Sequence, residues 1–85
     1  MNLDEVARIT ARLPERYADR VSANTAKILP LIAAGGETGE LLDFLLSDLR
    51  ASGALISTAE RDELAALLTA CGMPANQLDG IQVTS

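Results

Sequence analysis

GETGELLDFLLSDLRASGALISTAERDELAALLTACG, residues 36–72, contains two leucine-rich helical patterns, each with its own start and stop signals. On a wheel of about 100° per residue, Leu41, Leu42, Leu45, Leu46 and Leu49 fall within about 140°, and Phe44 widens the apolar arc to about 200°. A helix on the rim of a small domain needs a narrower stripe. The first pattern is therefore either the central helix of a bundle or a helix with a face left for a partner. It should run from Thr38 or Glu40 to Ser52 and stop at Gly53, with Leu55 and Ile56 folding back on its end. The second pattern opens on Ser57-Thr58-Ala59-Glu60, a capping box in which the serine hydroxyl and the glutamate carboxylate each satisfy the other residue's amide. Leu64, Leu67, Leu68 and Cys71 then form a single stripe about 100° wide, ended by Gly72. Pro74 can begin one more short turn, with Leu78 packing back.

Upstream, Asn2 can cap a first helix whose opening turn holds Asp4 and Glu5, followed by Leu3, Val6, Ala7 or Ile9, and Leu13 at helical spacing. Pro14 predicts a break or a new start. If it opens a second helix, Leu13, Tyr17, Val21, Ile28 and Ile32 could share a face, with either a kink at Pro30 or a division near Asn24, a good cap. Gly35 and Gly36 close this region. With no Trp, one Tyr and one Phe, the core must be aliphatic, which suits interdigitated helices better than a sheet. The expectation is an all-α fold, a small compact bundle of four to five short helices. Residues 1–80 form one domain and 81–85 a flexible C-terminal tail.

Charge is distributed unevenly. The net charge of −5 hides a near-balanced start and an acidic remainder, in which Glu37, Glu40, Asp43, Asp48, Glu60, Asp62, Glu63 and Asp79 face only Arg50 and Arg61. Such a balance argues against binding to nucleic acid or anionic lipid and suits a basic protein partner. No apolar run is long enough to span a bilayer, and the first residues lack the pattern of a secretory leader. A single cysteine suits a reducing cytoplasm.

Little here can perform chemistry. The absence of histidine removes the usual general base, the commonest metal ligand and every Ser/His or Cys/His arrangement. Cys71 lies on an apolar stripe and reads as a small core residue. Gly35, Gly36 and Gly39 lack the lysine and the preceding strand of a phosphate loop. Glu40 and Asp43, one turn apart, read as a solvated face. Arg8, Arg12, Arg16 and Arg20 recur every four residues, but Pro14 interrupts the register and carboxylates lie within pairing distance along the chain. No enzyme, cofactor or metal site is expected.

Asp48 projects inside the apolar arc of the 38–52 helix and calls for a cation from this chain or a partner, or open solvent. The run Gly36, Glu37, Gly39, Leu42, Asp43, Leu45, Leu49, then Ile56, Ser57 and Glu60, ending at Gly72 and Met73, resembles the MafI-type immunity proteins of bacterial polymorphic toxin systems. The resemblance covers residues 36–73. It implies a cytoplasmic antidote that binds and neutralises a cognate toxin without catalysis, the toxin being a basic domain such as a nuclease. The partner-binding residues expected on this reading are Glu37, Glu40 and Asp43 for steering, Phe44 or Leu46 as an apolar anchor, and Asp48 within the same face. The alternative is a helical docking or self-assembly module of a larger enzyme system, burying the arc around Leu42, Phe44 and Leu46.

Overall fold

The computed structural model of the chain describes residues 1–84; Ser85 lies outside the described residues. In chain order the elements are α1 (Leu3–Arg16), α2 (Ala23–Ala34), α3 (Thr38–Ser52), β1 (Leu55–Ser57), α4 (Thr58–Ala70), a single 3₁₀ turn (Ala75–Leu78) and β2 (Gln82–Thr84). The fold is an all-α bundle with a minor two-stranded sheet. Its centre is α3, whose Leu41, Leu42, Leu45, Leu46 and Leu49 are all fully buried. Leu13 and Tyr17 come in from α1 and its end, Leu29 from α2, and Leu64, Leu67 and Leu68 from α4. A helix enclosed on so many sides needs the wide arc seen in the sequence.

The helix ends follow local chemistry. Asn2 accepts from the Glu5 amide at 2.8 Å and opens α1, with Asp4 and Glu5 in the first turn. Ser57 and Glu60 form the reciprocal capping box of α4, at 3.0 and 2.8 Å. At the other ends, α3 and α4 stop on Gly53 and Gly72, both at φ 69°, a left-handed geometry that costs glycine nothing. The turn is closed in each case by a longer bond, from Ala54 N to Leu49 O at 3.2 Å and from Met73 N to Leu68 O at 2.8 Å.

Proline placement differs from the sequence expectation. Pro14 lies in the last turn of α1 rather than at the start of another helix, and α1 ends at Arg16. There the missing N–H deprives only the carbonyl of Thr10, four residues back, and the helix is about to stop anyway. Ser22, not Asn24, caps α2, accepting from the Thr25 amide at 3.2 Å. α2 carries Pro30 inside it, with the ring on an exposed position. Leu3, assigned by spacing to the apolar face of α1, is 86% exposed, so that face begins at Val6 and Ile9.

The C-terminal segment was expected as a flexible tail from 81 to 85, and the fold corrects this for its described part. Ile81 is buried, and Gln82–Thr84 run parallel to β1 with Leu55 opposite Gln82 and Ser57 opposite Thr84. Thr84 Oγ1 donates to the Ile56 carbonyl at 3.4 Å, and Thr58 Oγ1 to the Thr84 carbonyl at 3.3 Å. The anchor is hydrophobic, since Ile81 and Leu78 both reach the core and draw the following residues onto β1. Arg50 secures the approach from α3 by donating to the Gln77 carbonyl at 2.9 Å.

Two ion pairs tie the first helix hairpin to α4. Arg20 forks onto both oxygens of Glu60 at 2.7 Å, while its guanidinium lies 4.5 Å from the centroid of the buried Tyr17 ring. Arg16 reaches Glu63 at 2.6 Å. The bond from Arg20, joined by the amide of Ser57, outweighs the opposing effect of burial and holds the Glu60 carboxyl down to about 2. A carboxylate depressed in the folded state stabilises fully above its unfolded pKa of 4.5, and that stability is lost as the pH falls towards 2. Urea melts of the wild type should therefore weaken steeply between pH 5 and pH 2.5. Glu60→Gln, which preserves the capping geometry without the charge, should be less stable at pH 7 and show a visibly shallower loss over the same interval.

Candidate functional site

With five leucines turned inward, α3 has one row left to face outward. Glu40, Asp43, Phe44, Ser47, Arg50 and Ala51 occupy it, all exposed, with Arg50 donating to the Gln77 carbonyl, and Glu37 stands exposed just before the helix. Phe44 is 42% exposed and is the chain's single phenylalanine. Beside it, between the outer row of α3 and the start of α2, lies a groove of about 660 Å³. Asp43, Phe44, Ser47, Asp48, Ala51 and Ser52 line it from α3, and Ser22 and Thr25 line it from the start of α2.

Asp48 owes its place to a partner that spacing did not suggest. Its carboxylate accepts from the Ser22 amide at 3.3 Å and from the Ser22 hydroxyl at 3.0 Å, so it fastens the N-cap of α2 to the middle of α3. The Ser22 hydroxyl also lies 3.1 Å from Thr25 Oγ1. Desolvation acts to raise the Asp48 pKa, but bonds from Thr25, from the Ser22 hydroxyl and from the Ser22 amide overcome it and leave the carboxyl below its ordinary value. It stays ionised at neutral pH. Among the described residues no lysine or arginine pairs with Asp48, Asp43, Glu40 or Glu37.

Three of the sequence-assigned partner residues, Asp43, Phe44 and Asp48, meet in this groove. Glu37 and Glu40 lie towards the N-terminal end of α3, outside the groove lining. Leu46 is a correction: it is fully buried among the core leucines and cannot act as an anchor without unfolding the helix that carries it. Glu60 and Glu63, counted among the acids of the acidic remainder, are engaged by Arg20 and Arg16. Tyr17, the side chain that a histidine-free enzyme could recruit, is fully buried, and burial pushes its phenol up to about 12.

Ser47 and Ala51 follow from the helical ladder of Phe44 at steps of three and four, a signal present in the sequence but not used. Ser22 and Thr25 come from another helix and had no local signal. Among the described residues no group of three or more potential metal ligands comes together, and no helix is long and apolar enough to cross a membrane. Comparison with protein-family models, curated proteins and solved structures finds no match to this chain.

The division between the two faces of α3 is testable by truncation. Leu46→Ala should cost about 2–5 kcal/mol in chemical denaturation, the range for emptying a close-packed leucine site. Phe44→Ala should cost less than about 1 kcal/mol, as expected of a side chain that leaves the core undisturbed. The reverse order would mean that Phe44, rather than Leu46, belongs to the core.

Proposed function

We propose that this chain is a non-catalytic, protein-binding domain that acts in the bacterial cytoplasm as an immunity protein, neutralising a cognate toxin through the outer row of α3. The observation that carries the reading is the run of unpaired carboxylates, Glu37, Glu40 and Asp43, leading to the exposed ring of Phe44. Glu60 and Glu63 bind arginines and Asp48 binds Ser22, whereas Asp4, Glu5, Glu15, Asp62 and Asp79 are exposed and without an ion pair but stand beside no exposed aromatic side chain. The resemblance of residues 36–73 to MafI-type immunity proteins supports the same reading.

A nuclease suits this surface as a target. A cleft that holds a polyanion must itself be positive, and a row of carboxylates complements it. Complementary charge accelerates encounter towards about 10⁸ M⁻¹s⁻¹ at low salt, while an aromatic side chain at the centre of the contact slows dissociation. On this division of labour Glu37, Glu40 and Asp43 steer, and Phe44 anchors. Of Leu42, Phe44 and Leu46, which motivated the self-assembly alternative, the two leucines are consumed by the core and Phe44 stays exposed. A second copy docking on the same row would also bring Asp43 and Asp48 against their own kind, a repulsive arrangement.

The test begins with the gene next to the one encoding this chain. If that gene encodes a secreted protein with a toxic C-terminal domain, co-expression of this chain should restore growth. Reversing Glu37, Glu40 and Asp43 together to lysine should slow association by about tenfold or more at low salt and flatten its salt dependence. Binding rates that do not change in the triple variant would exclude this row as the contact.

A further inference from the structure

The outer row also carries the outline of a specific subsite. At about 100° per residue, Asp43 and Asp48 stand about 140° apart around α3, with Ser47, Ala51 and Phe44 between them in that angular order. The groove beside Phe44 thus has a carboxylate on each flank and an aromatic ring and small side chains along its length. Its lining contains no basic residue. Asp48 is fixed in position by Ser22, whereas Asp43 is exposed and unpaired.

The same chain shows what completes such a set. In the turn just before Ser22 the Arg20 guanidinium lies 4.5 Å from the centroid of the Tyr17 ring and forks onto Glu60 with two 2.7 Å bonds. An aromatic face, a carboxylate and a planar cation make one unit there. In the groove, an aromatic face and two carboxylates come from this chain.

We propose that the groove beside Phe44 receives a single arginine side chain of the protein partner, its guanidinium stacked on Phe44 and held by Asp43 and Asp48. The inference rests on the reading of α3's outer row as the binding surface and names the group that row selects. Arginine is favoured over lysine because a planar fork can stack and bond two acceptors at once, whereas an ammonium is a strongly hydrated point charge. The groove is too sparse in ligands for a metal ion, since the described residues bring no three metal-binding side chains together.

Amide NMR titration of the intact chain tests this with blocked tripeptides Gly-Arg-Gly, Gly-Lys-Gly and Gly-citrulline-Gly, and with free arginine. The arginine peptide should shift Ser22, Phe44, Ser47 and Ala51 saturably, with a dissociation constant on the order of millimolar, as befits one side chain. Lysine should bind several-fold more weakly, and citrulline, which lacks the charge, should not bind. Free arginine, which lacks the peptide groups on either side of the side chain, should bind more weakly than the blocked peptide. Phe44→Ala should weaken the arginine peptide by about two- to fivefold, the exposed cation–π range, and Asp43→Asn should weaken it without disturbing the fold. Shifts spread over Glu37 and Glu40 and equal for lysine and arginine would overturn the subsite, as would unchanged affinity in Phe44→Ala. Free arginine binding as tightly as the peptide would overturn the assignment to a protein partner. These failures are distinct from failure of the surface itself, which the triple charge reversal measures on the toxin.

Discussion

Burial of Leu41, Leu42, Leu45, Leu46 and Leu49 around α3 is the constraint from which the rest of this structure follows. A fully buried leucine contributes roughly 1.5–3 kcal/mol relative to an exposed one, so a helix with five of them will be surrounded wherever the chain allows. α1, α2 and α4 do the surrounding, and the end of the chain adds Leu78 and Ile81 beneath β2. Because the inward side of α3 is full, its outward side is reduced to a single row. That row contains Phe44 and unpaired carboxylates, so the requirement of the core also defines what the molecule can present to a partner.

Polar contacts then lock this arrangement rather than create it. Thr10 and Thr38 meet through their hydroxyls at 3.1 Å and hold α1 to the start of α3. Asp48 fastens α2 to α3 through Ser22, and Arg20 fastens the α1–α2 turn to the capping box of α4 through Glu60. The last of these gives one carboxylate two structural roles, helix cap and ion pair. Charges used in this way are unavailable for recognition. Of the carboxylates without an ion pair, Glu37, Glu40 and Asp43 lie on the outer row of α3 and its approach, and Asp4, Glu5, Glu15, Asp62 and Asp79 are spread over the other elements.

Much of this was legible in the sequence wherever the signal was local. The five-leucine arc, the bounds of α3, the Ser57–Glu60 box and the glycine stops depend on neighbours within a turn or two, and each stands in the structure as read. The misreadings have a common cause. Pro14 is compatible with a helix start or a helix end, and the choice was made by packing of Leu13 and Tyr17. β1 and β2 are three residues each, too short for alternation to declare them, and they pair across the whole of α4. Leu46 and Phe44 lie on one arc, and spacing alone could not decide which would face water. Asp48 was correctly singled out as needing a partner, but that partner was a helix cap from a different segment rather than an arginine.

α3 is the centre of the core and, in the proposed function, the carrier of the binding surface, with Phe44 as the point where the two roles meet. The most direct measurement is the structure of this chain bound to its natural partner. Phe44, 42% exposed in the free chain, should be covered, with Asp43 at the contact and the five core leucines undisturbed. A partner seated elsewhere, for example over the exposed Leu3 or Leu31, with Phe44 still open to solvent, would contradict it.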